Sequence, residues 1–231
     1  ITDKFSVNGM VCMHTYKNNQ ARYPAFLDDY AYLIQACIQL QEITSNQQYL
    51  IHAQTLTQYV TDNFEDTDSG YYYYTHAKQT DVITRKIEFY DGAVPSGNSI
   101  MAENLYYLSV VFENSNWFNR AQKITTALTE AVVKYPTSFA VWALLILKRV
   151  IGINEIVVTG NNIEQIHKEM LRLYLPDKIF QSSSNEVNGF PLLKDKNYVS
   201  GTNIYLCRDF ACMEPVNTIN QLKLLLKKPV Y

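Results

Sequence analysis

A mainly α-helical chain is predicted: a partial α/α toroid of αα-hairpins with short β-hairpins in its loops, then a small C-terminal α/β subdomain. Three observations predict it. A gapless internal repeat runs through the first two thirds, helical periodicity surrounds each copy, and short β-branched runs take over after Ile151. The repeat aligns "NQQYLIHAQTL" (46–56) with "NSNWFNRAQKI" (114–124). Asn46 matches Asn114, Tyr49 matches Trp117, Leu50 matches Phe118, and Ala53-Gln54 matches Ala121-Gln122, all at one constant offset.

In chain order, "MVCMHTYKNNQARY" (10–23) reads as a β-hairpin turning at Asn18-Asn19. A helix follows, with Leu33, Ile34, Cys37, Ile38 and Leu40 at steps of three and four. The first repeat copy carries a second helix to about Phe64, which closes an αα-hairpin. The link from Glu65 to Gly97 holds "GYYYYTHAK" and "VITRKIEFY", expected to be the strands of another β-hairpin. Met101, Leu105, Leu108, Val111 and Phe112 mark the next helix, and the second repeat copy runs to about Val133. "SFAVWALLILKRVIG" (138–152) is apolar nearly all round and is expected to be a buried helix. The paired helices are expected to bury Leu33, Cys37, Leu40, Leu56, Leu105, Leu108, Ile124 and Trp142.

The C-terminal part (153–231) then alternates. "NEIVVTG" (154–160), "KIFQ" (178–181) and "NIYLCRDF" (203–210) read as strands, with Ile156, Val157 and Val158 paired to Tyr205 and Leu206. "NIEQIHKEMLRLY" (162–174) and "NTINQLKLLLKK" (217–228) read as helices, the second capped by Asn217 or Thr218. "TGNN" after the first strand lacks the glycine spacing and the lysine of a phosphate loop. The boundary between the two domains, 1–152 and 153–231, is set by this change of pattern.

Bulk properties exclude several functions. Of 231 residues, 47% are apolar, enough for a sizeable core, and the net charge is −2. That balance gives no electrostatic case for nucleic acid or an anionic membrane surface. No apolar run approaches the ~20 residues of a membrane span. The N-terminus has neither an initiating Met nor the pattern of a signal peptide, so the chain is expected to be a piece of a longer one. The four cysteines lack zinc-ligand spacing, Cys37 falls on an apolar helical face, and a reducing, cytoplasmic setting is expected. No cofactor and no metal are called for. The 18 tyrosines suit both half-buried surfaces and stacking on sugar-like ligands.

Three stretches carry candidate chemistry. Asp28 and Asp29 open the first helix, where acidic residues both cap and favour the positive dipole end. Two carboxylates at a toroid mouth could equally do acid–base work on a sugar. In "EFYDGAVPSGNSIMAEN" (88–104), Gly92, Pro95 and Gly97 shape a loop entering a helix that Ser96 or Asn98 caps. Glu88, Tyr90, Asp91 and Glu103 remain after capping. Asp28, Asp29, Asp91 and Glu103 are therefore the candidate catalytic residues. Tyr30, Glu88, Tyr90, Ser96, Gly97, Asn98 and Ser99 are the candidate ligand-binding ones. Asp28, Asp29, Tyr90, Asp91, Ser96 and Asn98 are expected to converge on one polar pocket, with an Asp29→Asn, Asp91→Asn double variant keeping its melting temperature. His14 and His76, on the two expected β-hairpins, suit surface or packing roles. Cys207 and Cys212 in "CRDFAC" are either small residues at a strand end or a redox-sensitive pair beside Arg208.

"PAFLDDYAYLI" (24–34), "EFYDGAVPSGNS" (88–99) and "YLCRDFAC" (205–212), in this order, resemble the spermatogenesis-associated thioredoxin-like family, over nearly the whole chain. The resemblance implies an N-terminal thioredoxin-like domain, outside this sequence, followed by a helical toroid similar to six-hairpin glycosidases and N-acylglucosamine 2-epimerases. It implies a carbohydrate-active ancestry, with glycosidase-like or epimerase-like activity on a sugar-like small molecule. It supplies no reaction, and no epimerase motif surrounds His14 or His76. The alternative is a non-catalytic helical module that supports or regulates the attached thioredoxin-like domain, which would then be the partner of Cys207 and Cys212.

Overall fold

The computed structural model describes residues 2–7, 10–199 and 201–227. The chain divides into two compact units, the first comprising 1–39, 47–110 and 114–147, the second 40–46, 111–113 and 148–231. The second unit thus begins inside the last apolar helix of the repeat region and also takes in two short upstream segments.

The first unit opens with a short helix α1 (Thr2–Phe5) and an antiparallel sheet of β1 (Ser6–Val7), β2 (Val11–Lys17) and β3 (Gln20–Pro24). The expected turn is present. Asn18 and Asn19 adopt φ of 51° and 59°, and Lys17 pairs with Gln20 across them. Positive φ at both central residues is what a two-residue hairpin of this twist requires, and Asn tolerates it. Helices α2 (Leu27–Thr44) and α3 (Gln48–Phe64) make one hairpin, α4 (Gly97–Val111) and α5 (Ser115–Ala127) the other. Asn114 caps α5 by accepting the N–H groups of Asn116 and Trp117. Gln35 on α2 and Glu103 on α4 are repeat equivalents, 68 residues apart, and the Gln35 amide donates to the Glu103 carboxylate at 3.2 Å. Leu27 and Asp28 lie against Gly97 at the start of the same pair. With their starts and their midpoints matched in the same order, α2 and α4 run parallel, side by side.

Helices α6 (Thr129–Lys134) and α7 (Ala140–Ile151) complete the repeat region. Leu56, Leu105, Leu108, Ile124, Trp142 and Cys37 are buried as expected. Leu33 is half-buried and Leu40 is exposed. Two further expectations fail. Only Trp142 and Leu145 of α7 are buried, while Leu144, Leu147, Val150 and Ile151 are exposed. The link 65–96 forms no β-hairpin; its one strand-like feature is a bridge between Glu65 and Tyr72. Tyr71 and Tyr72 are both buried, which a strand with one solvent-facing side would not give to neighbours. Tyr72 instead gives its N–H to Asn98 Oδ1 at 2.8 Å and its carbonyl accepts from Asn98 Nδ2 at 2.8 Å. A side chain thus satisfies the backbone groups that a ladder would otherwise pair.

The second unit carries a four-stranded sheet in the order β5 (Lys178–Ser183), β4 (Asn154–Gly160), β6 (Thr202–Arg208), β7 (Ala211–Cys212). β4 is parallel to β5 and antiparallel to β6, and β6 is antiparallel to β7. Val157 pairs with Tyr205 and Ile156 with Leu206, as expected. Helix α8 (Glu164–Leu171) and helix α9 (Ile219–Leu226) cover one face, packing Met170, Ile219 and Leu222 on Ile156, Val158, Phe180, Ile204 and Leu206. Thr218 caps α9 in a reciprocal capping box with Gln221. Lys228, at the expected end of this helix, lies outside the described residues.

Candidate functional site

The start of α2, the start of α4 and the loop before α4 come together in the first unit. Asp29 stands three residues into the α2 end and its Oδ2 accepts the Phe26 N–H at 2.9 Å, half of a capping box. The same oxygen meets His14 Nδ1, from β2, at 2.8 Å. Asp28 accepts a backbone hydrogen bond from Gly97 at the head of α4. Burial raises the Asp28 carboxyl above its ordinary range; the Gly97 bond opposes this, and the charges of Glu88 and Asp29 add to it. Tyr74 feels Asp28, Glu88 and Asp29 as well as its own burial, so the three carboxyls share one neighbourhood. Phe26 stacks on Tyr74 with ring centroids 4.8 Å apart and planes 13° apart, and His14 meets the Phe26 ring edge-on. Three carboxyls, one imidazole and one aromatic face are therefore grouped at the two helix starts.

The rest of the loop is spent internally. Asp91 is buried. Its Oδ1 accepts from Ser96 N at 3.1 Å and from the Ser99 hydroxyl at 2.6 Å, and its Oδ2 accepts from Val141 N, in α7, at 2.8 Å. Ser96 caps α4, its Oγ accepting the Ser99 N–H at 3.1 Å. Asn98 Nδ2 also donates to the Glu88 carbonyl at 3.0 Å. Asp91, Ser96, Asn98 and Ser99 thus pin the loop, α4 and α7 to one another. Gly97 is needed for contact, since a Cβ there would lie 2.3 Å from Asp28 Oδ1. Tyr30 is buried against Tyr59 and Phe64, and its hydroxyl accepts the Cys12 N–H at 2.9 Å, so it presents no stacking face. Glu88 and Tyr90 are exposed, and Glu103 is half-buried on Gln35. The geometry thus separates the candidates: Asp28, Asp29 and Glu88 face the helix-start cluster, while the buried loop residues act as struts.

Two contributors escaped the sequence reading. Phe26 is one, and its signal was its place just before the "LDD" helix start. Tyr32 is the other; its hydroxyl donates to the Pro95 carbonyl at 2.9 Å, and it lies near both Asp28 and Asp91. His76 packs against Tyr59 and Phe64, and burial lowers its pKa. Its Nδ1 accepts the Lys78 N–H at 2.9 Å, and it lines a cleft of about 220 Å³ with Tyr30 and Tyr59.

A second polar cluster sits in the other unit. Ser45, just past the end of α2, adopts φ of 61°. Its Oγ lies 3.0 Å from His167 Nδ1 and 2.5 Å from Ser182 Oγ. His167 Nε2 donates to the Ile43 carbonyl at 2.9 Å, and Nδ1 lies 2.8 Å from Ser182 Oγ. Ile43, Ser45 and His167 border a pocket of about 400 Å³ with Asn161, Asn162 and Lys168. No local motif could have joined positions so far apart in the chain. In the same unit Cys207 and Cys212 form a disulfide across β6 and β7. Among the described residues no group of three or more His, Cys, Asp or Glu side chains is placed to hold a metal ion, and no helix is long and apolar enough to cross a membrane.

No family model matches the chain. It is 25% identical over 212 residues to spermatogenesis-associated protein 20 of Rattus norvegicus, covering 87% of this chain and 27% of that protein. It is 23% identical over 212 residues to the Homo sapiens protein of the same name, with 87% and 27% covered. An uncharacterised protein of Caenorhabditis elegans is 27% identical over 212 residues, with 88% and 29% covered. The chain therefore spans under a third of the length of the curated relatives it matches, and the likeness runs along most of its own length.

Proposed function

We propose that the helical unit binds a polyhydroxylated, sugar-like ligand at the joined starts of α2 and α4, and that α2 and α4 are neighbouring inner helices of an α/α toroid completed by the rest of a longer chain. The observation that carries the reading is the grouping of Asp28, Asp29 and Glu88 beside the stacked Phe26 and Tyr74 rings. Carboxylates accept hydrogen bonds from sugar hydroxyls, and aromatic faces cover their C–H surfaces. Helix N-termini add positive dipole ends that favour oxygen-rich groups. If the bound ligand is also turned over, in a glycosidase-like or epimerase-like reaction, Asp28 is the group suited to donate a proton, because burial keeps its carboxyl protonated to higher pH. A cytoplasmic setting is retained as part of this proposal.

The test is a panel of mono- and disaccharides read by NMR chemical-shift changes. Binding is expected to move His14, Tyr74 and Glu88 signals, and Asp28→Asn with Glu88→Gln is expected to abolish those shifts while the spectrum stays folded. Unchanged binding in that double variant, or no saccharide shifting these residues, overturns the reading.

A second reading is favoured by a specific observation, namely that Asp91, Ser96, Asn98 and Ser99 are consumed by internal hydrogen bonds. On it, the unit is a non-catalytic helical module serving an attached thioredoxin-like domain. Silence across the saccharide panel, together with unchanged redox activity of such a domain only when this module is joined to it, would favour that reading.

A further inference from the structure

The hairpin of β6 and β7 holds more chemistry than a stapled turn needs. Asp209 and Phe210 form its two-residue turn, with φ of 48° and 62°, leaving Cys207 and Cys212 as directly opposed partners. Cys207 is buried and Cys212 is exposed. On β4, Glu155 pairs with Cys207 in register, which puts the two side chains on the same face of the sheet. Glu155 is buried, and its Oε2 accepts the Phe210 N–H at 3.1 Å. Lys196 reaches in from the segment covering that face. Its Nζ lies 3.2 Å from Cys212 Sγ and 4.9 Å from the centre of the Tyr205 ring. An ammonium on the exposed sulfur and a buried carboxyl beside the covered one are the two groups that thiol–disulfide exchange uses.

We propose that Cys207–Cys212 is a thiol–disulfide exchange site for a dithiol/disulfide partner, with Cys212 as the exchanging sulfur, Cys207 as the resolving one, Lys196 holding the Cys212 thiolate and Glu155 trading a proton with Cys207. In the oxidising direction the reduced chain meets a partner disulfide. The Cys212 thiolate attacks one partner sulfur, a Cys212–partner bond forms, the partner S–S bond breaks, and the other sulfur leaves as a thiolate. The Cys207 thiol then gives its proton to the Glu155 carboxylate and attacks Cys212 Sγ. The Cys207–Cys212 bond forms, and the remaining partner sulfur leaves as a thiolate that takes up a proton. Two electrons have passed from the chain to the partner, and the reverse sequence recharges the chain from a dithiol.

The electrostatics agree. Burial raises the Glu155 carboxyl, opposed by the Phe210 bond and with the Asp209 charge adding to the rise, which brings it closer to thiol range. Lys196 is lowered by burial and sustained by Asp195 and Glu155. Arg208, the other nearby cation, is engaged with Asn154 Oδ1 at 3.0 Å. The remaining thiols do not compete, because burial pushes Cys12 and Cys37 each up to about 11.

The experiment uses the whole chain with oxidised glutathione as probe. Peptide mapping of acid-trapped reduced chain is expected to find glutathione on Cys212. In a Cys207→Ser variant, thiolate absorbance at 240 nm should place the Cys212 pKa below the ordinary ~8.5 of a free cysteine. Lys196→Met should raise it by about one unit, cutting the reaction rate at neutral pH about threefold once the higher nucleophilicity of the more basic thiolate is counted, and Lys196→Arg should restore it. Glu155→Gln keeps an oxygen for the Phe210 N–H, so the hairpin stays, but the mixed disulfide should persist several-fold longer. Glutathione on Cys207, a Cys212 pKa at or above that of a free cysteine, or a Lys196→Met rate equal to wild type would each overturn the proposal.

Discussion

Gly97 is where the α2 and α4 starts approach most closely, and one methyl group would test that contact. An added Cβ would lie 2.3 Å from Asp28 Oδ1 and 2.9 Å from Leu27 Cγ. Gly97→Ala is expected to cost about 1–3 kcal/mol, the range for overpacking, and to lose saccharide binding by displacing Asp28. Urea unfolding monitored by circular dichroism measures the first effect. Asp28 itself predicts a pH signature. Its folded pKa is raised, so its stabilising contribution is complete below the unfolded value of about 3.9 and is lost as pH rises through the folded value. Once ionised, the wild-type carboxyl is therefore an unfavourably placed charge. Asp28→Asn, which still accepts the Gly97 N–H, should melt at the same or a higher temperature at pH 7, and that advantage should vanish below about pH 4. Asp91 should behave oppositely. Asp91→Ala strands the buried N–H of Ser96 and the part-buried N–H of Val141 and should cost about 2–6 kcal/mol, from one to three per orphaned donor. The same unfolding measurement on the Asp29→Asn, Asp91→Asn double variant tests the expectation that its melting temperature is kept, and the partners of Asp91 predict a loss instead. The crowding of polar residues at 88–99 was legible in the sequence, as was Ser96 as a cap. The use of Asp91 was not, because Val141 lies 50 residues away.

At the level of elements, periodicity and turn chemistry were legible, and burial was less so. The Asn18-Asn19 turn, the four repeat helices and the strands β4, β5 and β6 follow from local rules acting on adjacent residues. Helix α7 shows the limit of such rules. Its apolar residues run all round, yet only one stripe of it, through Trp142 and Leu145, meets the core of Tyr71, Ala102, Ile124 and Phe139. Hydrophobicity reports what a helix can bury and says nothing about how many neighbours the chain supplies. Trp142→Ala should therefore cost about 3–5 kcal/mol, whereas Leu147→Gln, on the same helix, should stay within about 0.5 kcal/mol. Chemical denaturation of the two variants separates these outcomes, and equal losses would show that α7 is more enclosed than its exposed Leu147 indicates. The tyrosine run failed as a strand for a related reason. At Tyr72 the amide and carbonyl partners come from Asn98, a residue of the next helix, and no hydrophobic pattern signals a side chain standing in for a strand.

On the scale of the molecule, the repeat accounts for the first unit and the change of pattern near Ile151 accounts for most of the second. The residues 40–46 are what a linear reading assigned elsewhere, since periodicity places them on α2 while their packing places them in the second unit. Four contacts within that unit depend on them. Glu42 pairs with Lys178 at 2.6 Å, the Ile43 carbonyl accepts from His167 Nε2, and Ser45 Oγ meets both His167 Nδ1 and Ser182 Oγ. Glu42 is buried, and Lys178 is only 19% exposed at its side chain, so removing one partner leaves a poorly hydrated charge, a loss of about 3–5 kcal/mol when such a pair is broken. His167 and Ser182, both buried, would lose bonds as well. A small domain has a total stability of about 5–15 kcal/mol, so these losses are of the same order as the whole. A fragment of residues 148–231 is therefore expected to lack dispersed amide signals in a nitrogen–proton NMR spectrum, despite containing the complete four-stranded sheet. Adding residues 40–46 through a flexible linker should restore dispersion, with His167 and Ser182 amides among the most shifted. A fragment 148–231 that folds unaided would show that the sheet and its two helices suffice, and that the boundary read from the sequence, near residue 153, is the physical one.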